Sequence, residues 1–398
     1  MKRRQFLKIA TVTPFLFTLS CSEKKDLQTE FSQGSAKAFD YLEAKGSYQE
    51  IGMQIGKMLQ DTINSILDER KDWINNLIQI SVSAEGGSYS NQLLEIARNV
   101  FPQYVQEIEG MAEGAGIDFQ RIWAMTIKNE LISFGNRGSA AISEPGCSTI
   151  FYKDENKTWL FHNEDGDKVF HNRMLVLKAV PPSGVSFITL VYPGILAGVG
   201  PSMNSRGVCE TTNYISCKKP YKGIPRYFLG RAALEAKNMA EALQLTTSEP
   251  RAYPWHHNIV SLNSNVYASV ETLPDGTIEV NYPGDGVYIH TNHTLGKKTQ
   301  NYPDQDLNYK NTSSDPRLKA LRHLISNTKL PANNPEKFMR FLSSHKNKPY
   351  SLCRHPEGDV RGQTLATAFF DKQRKTMRIY KGNPCKAMMN ENYTEYSF

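Results

Sequence analysis

The chain has 398 residues, of which 39% are hydrophobic and 22% are charged, as is ordinary for a soluble globular protein of one large domain or two smaller ones. Its formal net charge of +7 falls to +3 without residues 1–20, because four basic residues and no acid precede Cys21. So small a positive balance gives no basis for a nucleic-acid partner.

The first twenty residues have the pattern of an export signal. Arg3 and Arg4 precede the apolar stretch 9–19, which is typical of a twin-arginine signal peptide. Eleven residues are too few to span a bilayer, for which about 20 are needed. The stretch ends at Leu-Ser-Cys21, which is similar to a lipobox; lipidation of Cys21 and an ordinary cleaved signal both stay open. The sequence therefore predicts an exported protein of the periplasm or cell envelope, anchored to a membrane if Cys21 is lipidated.

The segment after the signal leads into the first helix. Residues 21–40 are polar and aperiodic, which predicts a flexible tether. Ser47 and Glu50 have the spacing of a capping box, and apolar residues then recur every three or four positions on one helix face. Gly52 and Gly56 lie on successive turns of this helix, where glycine is costly. We therefore expect a neighbouring element to approach closely there.

The pattern changes from helical to strand-rich in the middle of the chain. Helical patterns cover 91–115 and 118–135, whereas short β-rich runs follow from Cys147, with a hairpin turn at 154–157. Later helical patterns occur at 226–247, after Asp315 and at 335–344, and later strand patterns at 258–272, 276–281, 364–370 and 376–381. Because helices and antiparallel strands come in alternating blocks, the sequence predicts an α+β fold rather than a doubly wound parallel sheet.

Cys147 follows a glycine and begins a predicted strand. Only a thiolate is a good nucleophile, so a catalytic cysteine needs a group that takes its proton. The flanking aromatic residues of a papain-like site are missing here. The chain's own α-amine, with a pKa of about 7.7–8.0, becomes available if the bond before Cys147 is cut. Gly146 tolerates the strained backbone that such a cut requires, although Gly-Cys alone is equally compatible with a structural cysteine.

Short motifs in register across most of the chain carry a family resemblance. They are GSYQEIG at 46–52, IEGMAEGAG at 108–116, GCST at 146–149 with HNED at 162–165, NSRGV at 204–208 with TNY at 212–214, HTNH at 290–293, YSLCR at 350–354 with RG at 361–362, and GNPC at 382–385. Together they resemble the isopenicillin-N acyltransferase (acyl-CoA:6-aminopenicillanate acyltransferase) family of N-terminal-nucleophile cysteine hydrolases.

The resemblance implies a fold and a processing event. The implied fold is a four-layer αββα sandwich, formed by a single domain over residues 41–398. The implied event is self-cleavage between Gly146 and Cys147. The helical part 41–146 would then stay bound, as a small chain, to the catalytic part 147–398.

The resemblance also implies roles for individual residues. Cys147 would be the nucleophile, with its freed α-amine as the base. Asp165 would orient or polarise the nucleophile, and Asn213 would donate to the oxyanion. Arg361 would hold a carboxylate or assist the cleavage, while Arg354 is a lesser candidate for that role.

The implied function is cleavage of a linear amide C–N bond in a small molecule, through an acyl thioester at Cys147. Hydrolysis and acyl transfer both pass through that intermediate, and the acyl and amine parts stay undetermined. Two alternatives stay open. One is a non-catalytic or unprocessed surface lipoprotein on the same fold, and the other is a cysteine–histidine hydrolase without self-cleavage.

No metal or organic cofactor is expected. His290 and His293 form an HxxH without the helix of a zinc protease, and the pair His256-His257 has no further ligand pattern. The cysteines contain no CxxC pair, so a thiolate zinc site is not predicted either. Besides Cys21 and Cys147, four cysteines remain, which either form disulfides in an oxidising compartment or stay free thiols: Cys209, Cys217, Cys353 and Cys385.

Overall fold

The computed structural model of the protein describes residues 32–33, 39–135, 146–328 and 334–398. The export signal, Cys21 and most of the predicted tether lie outside these residues. The helices are, in chain order, α1 Tyr48–Glu69, α2 Lys71–Val82, α3 Ala84–Val100, α4 Pro102–Ala115, α5 Phe119–Thr126, α6 Lys128–Gly135, α7 Arg226–Ala233, α8 Met239–Thr246, α9 Leu307–Tyr309, α10 Asp315–Ser326, α11 Pro335–Leu342 and α12 Pro384–Ala387. Within the described ranges, none of them is both long and apolar enough to cross a membrane.

The strands form two sheets. They are β1 Ser32–Gln33, β2 Asp40–Lys45, β3 Ser148–Lys153, β4 Thr158–Asp167, β5 Leu175–Val180, β6 Phe187–Val191, β7 Ser202–Asn204, β8 Val208–Tyr214, β9 Trp255–Ser261, β10 Tyr267–Thr272, β11 Ile278–Asn281, β12 Gly286–His290, β13 Gly362–Asp371, β14 Thr376–Lys381 and β15 Tyr393–Tyr396. The first sheet has the order β1-β15-β14-β13-β4-β3-β12, and the second has β11-β10-β9-β8-β7-β6-β5-β2. Neighbouring strands are antiparallel in both sheets except β2 and β5, which are parallel.

Helices α10, α11 and α12 cover the outer face of the first sheet. An aromatic cluster fills this interface, with Trp159, Phe161 and Phe369 from the strands and Phe338 from α11. The rings of Phe161 and Phe369 stack at 4.7 Å, and the ring of Phe338 lies 5.3 Å from Phe161. Burial of these large rings, at about 25 cal/mol per Å² of apolar surface, holds the helices to the sheet.

The second sheet packs against the first on one side and against helices on the other. Phe151 of β3 and Tyr267 of β10 stack across the two sheets, with ring centroids 3.8 Å apart. On the opposite face of the second sheet, Val208 and Ile259 are buried together with Ala242 of α8. Helix, sheet, sheet and helix therefore follow one another, so the predicted four-layer αββα sandwich is confirmed.

The predicted start of α1 and its close neighbour are both confirmed. Ser47 Oγ accepts from the N–H of Glu50, and the Glu50 carboxylate accepts from the N–H of Ser47, so the capping box is formed. A Cβ placed on Gly52 would overlap the carbonyl of Glu107 in α4. Glycine is needed there because the backbones of α1 and α4 touch.

Several boundaries differ from the sequence prediction. The predicted helix 91–115 is divided between α3 and α4, because Pro102 lacks an N–H and is best placed in a first helical turn. The region 258–272 is a hairpin rather than one strand, with β9 and β10 on either side of a turn. Within the predicted tether 21–40, Ser32 and Gln33 pair with β15.

Candidate active site

Cys147 lies directly before β3, buried between the two sheets with 6% of its surface exposed. Burial raises the pKa of its thiol well above the ordinary value, and the nearby carboxylates of Glu164 and Asp165 raise it further. The backbone N–H of Asp165 and the guanidinium of Arg317 lower the pKa of the thiol, but by less than burial raises it. The thiol is therefore protonated near neutral pH, and a nucleophilic role requires a base.

Asp165 lies beside Cys147 on the neighbouring strand, β4. Thr364 Oγ1 donates to its Oδ1 at 2.6 Å, and Arg354 Nε lies 3.1 Å from its Oδ2. Burial raises the pKa of Asp165 to about 7, although Arg354 and Arg317 both act to lower it. The structure thus brings Asp165 next to the nucleophile. The charge of the Asp165 carboxyl changes with pH near neutrality.

The bond between Gly146 and Cys147 is enclosed by three polar side chains that the sequence analysis did not assign. A Cβ at position 146 would collide with Tyr309 Oη, Asn292 Oδ1 and Arg317 Nη2. Arg317 Nη1 donates to the carbonyl oxygen of Cys147 at 2.6 Å, and its Nη2 donates to Asn292 Oδ1 at 2.7 Å. The enclosure leaves room for glycine alone before Cys147.

Asn213 lies in the second sheet, opposite β3, and its side-chain carbonyl is surrounded by hydrogen-bond partners. Its Oδ1 accepts from Thr149 Oγ1 at 3.0 Å and from Asn258 Nδ2 at 2.8 Å, and lies 3.0 Å from His256 Nδ1. Its Nδ2 is buried and has no hydrogen-bond partner among the described residues. An amide held by its oxygen with its N–H₂ free suits an oxyanion donor. The role of Asn213 as oxyanion donor stays a prediction.

The two candidate arginines are placed differently. Arg361 binds Asp167 through two nitrogens at 2.9 Å and is about one-third exposed. Arg354 is buried and pairs with Asp165, next to the nucleophile. Of the two, Arg354 therefore belongs to the group around Cys147, and Arg361 does not contact it. Arg354 is the last residue of the YSLCR motif, so the sequence offered a signal for its role. Arg317 lies in none of the motifs, so the sequence offered no signal for it.

His162 lies near Cys147 on β4, but both of its ring nitrogens are engaged. Nδ1 lies 2.9 Å from Thr149 Oγ1, and Nε2 lies 3.3 Å from a carboxylate oxygen of Glu164. The donor atoms of Cys147, His162 and Glu164 all lie within 4.8 Å of one another, so these three could hold a metal ion. A metal there would occupy the thiolate that the acyl thioester needs.

The cleft in front of Cys147 is lined by aromatic and by charged side chains. Its lining includes the rings of Trp73, Phe170, Tyr192, Tyr214, Tyr227 and Trp255. Arg226 also lines it, with its guanidinium carbon 4.8–5.4 Å from the centroids of several of these rings. Nε and Nη1 of this buried arginine have no hydrogen-bond partner in the described part of the chain. The cleft therefore suits a ligand with an apolar portion and an oxygen that Arg226 can bind.

Two facing sheets between helical layers, with a buried cysteine and carboxylate at the cleft, define an N-terminal-nucleophile-type enzyme that acts on amide bonds. The chain belongs to the acyl-coenzyme A:6-aminopenicillanic acid acyl-transferase family, whose model matches residues 152–386, more than half of the chain.

Characterised relatives cover nearly the whole chain. The β-alanyl-dopamine/carcinine hydrolase of Drosophila melanogaster is 24% identical over an alignment of 376 residues. The alignment covers 87% of this chain and 94% of that protein. The 40 kDa form of the acyl-coenzyme A:6-aminopenicillanic-acid acyltransferase of Emericella nidulans is 24% identical over an alignment of 347 residues, which covers 86% of this chain and 93% of that protein. Among solved structures, the chain is similar to the Caenorhabditis elegans N-acylethanolamine-hydrolyzing acid amidase ortholog, with a TM-score of 0.38 and 13% identity over 56% of this chain and 92% of that one.

Proposed function

We propose that this protein is an exported cysteine amidase or acyltransferase that cuts itself before Cys147 and then works through an acyl thioester at that residue. The observation that carries the proposal is the enclosure of the Gly146–Cys147 bond by Asn292, Tyr309 and Arg317. Polar side chains held around a buried peptide bond, with a thiol one residue away, are what a self-cleaving bond needs.

Self-cleavage would begin with an acyl shift at this bond. The Cys147 thiol adds to the carbonyl carbon of Gly146, and the bond from that carbon to the Cys147 nitrogen breaks. The nitrogen takes up the thiol proton and becomes the free α-amine. Water then hydrolyses the thioester, which releases the Gly146 carboxylate and restores the thiol. Arg317 Nη2 lies near Gly146 and could donate to the negative charge on the intermediate, while Asn292 Oδ1 accepts from that nitrogen and holds it in place.

Turnover would use the new amine as the base. Because burial raises the pKa of the Cys147 thiol, the amine must accept its proton before attack. The thiolate adds to the substrate carbonyl, and the resulting ammonium protonates the leaving amine. Water, or a second amine, then takes the acyl group from Cys147. Asp165, one strand away, would hold the ammonium in place.

The proposed substrate is a small N-acyl amide. The aromatic rings suit an apolar portion, and the two Arg226 nitrogens that have no hydrogen-bond partner among the described residues suit a carboxylate or carbonyl oxygen. One relative is named as a hydrolase of β-alanyl-dopamine and carcinine and the other as an acyltransferase of 6-aminopenicillanic acid, and both names are consistent with this class. N-β-alanyl amines and N-acyl amino acids are therefore the first compounds to assay, with free amines added to detect transfer.

The experiment that tests the proposal is an intact-mass measurement of the purified wild type beside Cys147→Ala. The wild type should give two fragments that stay together, the larger of which begins at Cys147 and ends at Phe398. The variant should stay uncut. A single chain with amidase activity would instead support the cysteine–histidine hydrolase, and a single inactive chain would support the non-catalytic lipoprotein.

The role of Asn213 as oxyanion donor is tested by comparing Asn213→Ala with Asn292→Ala in processed enzyme. Asn292 is the comparison because its oxygen faces Gly146 and its Nδ2 already donates to the carbonyl of Tyr214. Loss of the donor should reduce kcat by about 10²–10³ with little change in KM. Loss of a residue needed only for cleavage should leave uncut chain, and the fraction that does cut should turn over normally. If neither variant reduces kcat, neither amide serves the oxyanion.

Export is proposed from the leader alone. Replacing Arg3 and Arg4 together by lysine should retain the protein in the cytoplasm, because the twin-arginine pattern is what the export machinery reads. Cys21→Ser should move exported protein from the membrane to the soluble fraction if Cys21 is lipidated. Soluble wild-type protein would point to an ordinary cleaved signal.

A further inference from the structure

Two cysteines and two histidines converge beside the first sheet, outside the candidate active site. His345 follows α11, Cys353 and His355 lie in the loop before β13, and Cys385 lies in α12. Their donor atoms, two sulfurs and two imidazole nitrogens, all lie within 4.8 Å of one another. Three separate segments of the chain therefore present four metal-binding atoms to one point.

The distances between these atoms match those between ligands of a tetrahedral zinc ion. His355 Nε2 lies 3.2 Å from His345 Nε2, 3.6 Å from Cys353 Sγ and 3.5 Å from Cys385 Sγ. Tetrahedral bonds of about 2.0–2.1 Å to nitrogen and about 2.3 Å to sulfur put two nitrogens roughly 3.3 Å apart, and a nitrogen and a sulfur roughly 3.5 Å apart. All three measured distances agree with these values to about 0.1 Å.

Cys353 also has the surroundings of a coordinating sulfur. Asn383 Nδ2 donates to its Sγ at 3.6 Å, and the backbone N–H of Cys385 donates to the same sulfur. N–H groups aimed at a thiolate are the outer contacts that orient a metal ligand. The Asn383 side chain is itself buried and also donates to the carbonyl of Arg354, so its direction is set by the fold.

We propose that His345, Cys353, His355 and Cys385 bind one zinc ion. Four protein ligands fill a tetrahedral shell and leave no position for water or substrate, so the site is structural rather than catalytic. Two thiolates and two neutral imidazoles balance the charge of Zn²⁺. The sequence did not predict this site, because Cys353 and Cys385 are far apart in the chain and form no CxxC pair.

The zinc site would fix the loop that carries Arg354. This arginine stands between two of the ligands, Cys353 and His355, and its guanidinium pairs with Asp165 beside the nucleophile. The ion would add a tie between that loop, α12 and the end of α11, beside the hydrogen bonds from the N–H of Cys353 to the carbonyl of Ser344 and from Asn383 to the carbonyl of Arg354. The proposal does not depend on the proposed function, since metal binding can be measured whether or not the chain cuts itself.

The test is metal analysis of the full chain, purified with reductant and without chelator. Wild type should contain about one zinc per chain. Exchange for Co²⁺ should give visible bands of tetrahedral cobalt and near-ultraviolet sulfur-to-cobalt charge transfer. His345→Ala and Cys385→Ser should each lose the metal, whereas His171→Ala should keep it. His171 is the matched control, because it lines the same surface depression as His355 but is not a ligand.

Two results would overturn the proposal. One is reduced wild-type protein that takes up neither zinc nor cobalt. The other is a native protein in which the Cys353 and Cys385 peptides are cross-linked and the intact mass lacks two hydrogens, which would make the pair a disulfide. If the ligand variants do not fold, the zinc content and cobalt spectrum of Cys147→Ala decide the matter, because this variant lacks the cysteine of the other group that could hold a metal.

Discussion

Position 146 has little room for any side chain. We expect Gly146→Ala to abolish or strongly slow self-cleavage, because the added Cβ would overlap Asn292, Tyr309 and Arg317. Gel electrophoresis and intact mass during expression would measure the fraction cut.

The matched control for this prediction is Gly284→Ala. Nothing lies within 4 Å of a Cβ at that position, so the control should process like the wild type. Normal cleavage of Gly146→Ala would show that the enclosure is not needed for the reaction.

Asp165 gives a prediction about pH. Its pKa is raised to about 7 in the folded protein, against about 3.9 in an unfolded chain. Between these values the folded state binds the proton more tightly, so the contribution of Asp165 to stability falls as pH rises, by at most about 1.4 kcal/mol per pH unit. Relative to Asp165→Asn, the parent should therefore lose stability from pH 4 to pH 7, and the difference should then level off.

The measurement is denaturant unfolding over this pH range in the uncut Cys147→Ala background. Asp154→Asn is the control, because the pKa of Asp154 is lowered, so this half-buried carboxylate does not take up a proton in the folded protein as Asp165 does. A constant difference between parent and Asp165→Asn would contradict the raised pKa.

At the scale of elements, the contact between α1 and α4 depends on glycine. Gly52→Ala should destabilise the protein by about 1–3 kcal/mol, because the Cβ would overlap the Glu107 carbonyl and push the helices apart. Thermal unfolding of uncut protein would show the loss as a lower Tm. Gly284→Ala is the control: nothing lies within 4 Å of a Cβ at that position, so its Tm should stay close to that of the parent. Equal Tm values for the two variants would mean that α1 can shift without loss of stability.

The sequence predicted the local parts of the site better than the distant ones. Asp165 reaches Cys147 through the β3–β4 hairpin, whose short turn could be read from the residues between the strands. Asn292 is placed near Cys147 by the pairing of two strands that are distant in the sequence, in which His290 of β12 lies opposite Thr149 of β3. No local pattern specifies that register, so Asn292 stayed unassigned although its motif was recognised.

The helices show the same limit. α1 was predicted from its cap and its regular apolar face. The second helix, α2, was not predicted, and neither was the first part of α3, where serine and glycine interrupt the apolar pattern over residues 83–90. These helices are stabilised by packing against α5 and α6, which a periodicity argument over a single segment does not detect.

At the scale of the whole molecule, a buried ion pair joins the two parts that cleavage would separate. Arg231 of α7 binds Glu107 of α4 at 2.8 Å, and both side chains are fully buried. Arg231→Ala would leave Glu107 buried without a partner, which costs about 3–5 kcal/mol. We expect the small fragment of this variant to dissociate at lower denaturant concentration, as measured by size-exclusion chromatography of cut protein.

Arg98→Ala is the matched control for the fragment prediction. Arg98 pairs with Glu109 on the surface, where such a pair contributes about 0–1 kcal/mol, so the fragments should stay together as in the wild type. Unchanged dissociation of Arg231→Ala would mean that other contacts dominate the association.

The parallel pairing of β2 with β5 has a consequence for solubility. β2 is the last strand of its sheet and belongs to the part of the chain before Cys147, while β5 belongs to the part after it. If the small fragment were lost after cleavage, the backbone N–H and C=O groups along one side of β5 would become an open sheet edge. Open edges recruit strands from other molecules. If the chain is cut as proposed, the small fragment would therefore protect β5 from pairing with other molecules, and aggregation of a stored preparation should increase as that fragment is lost.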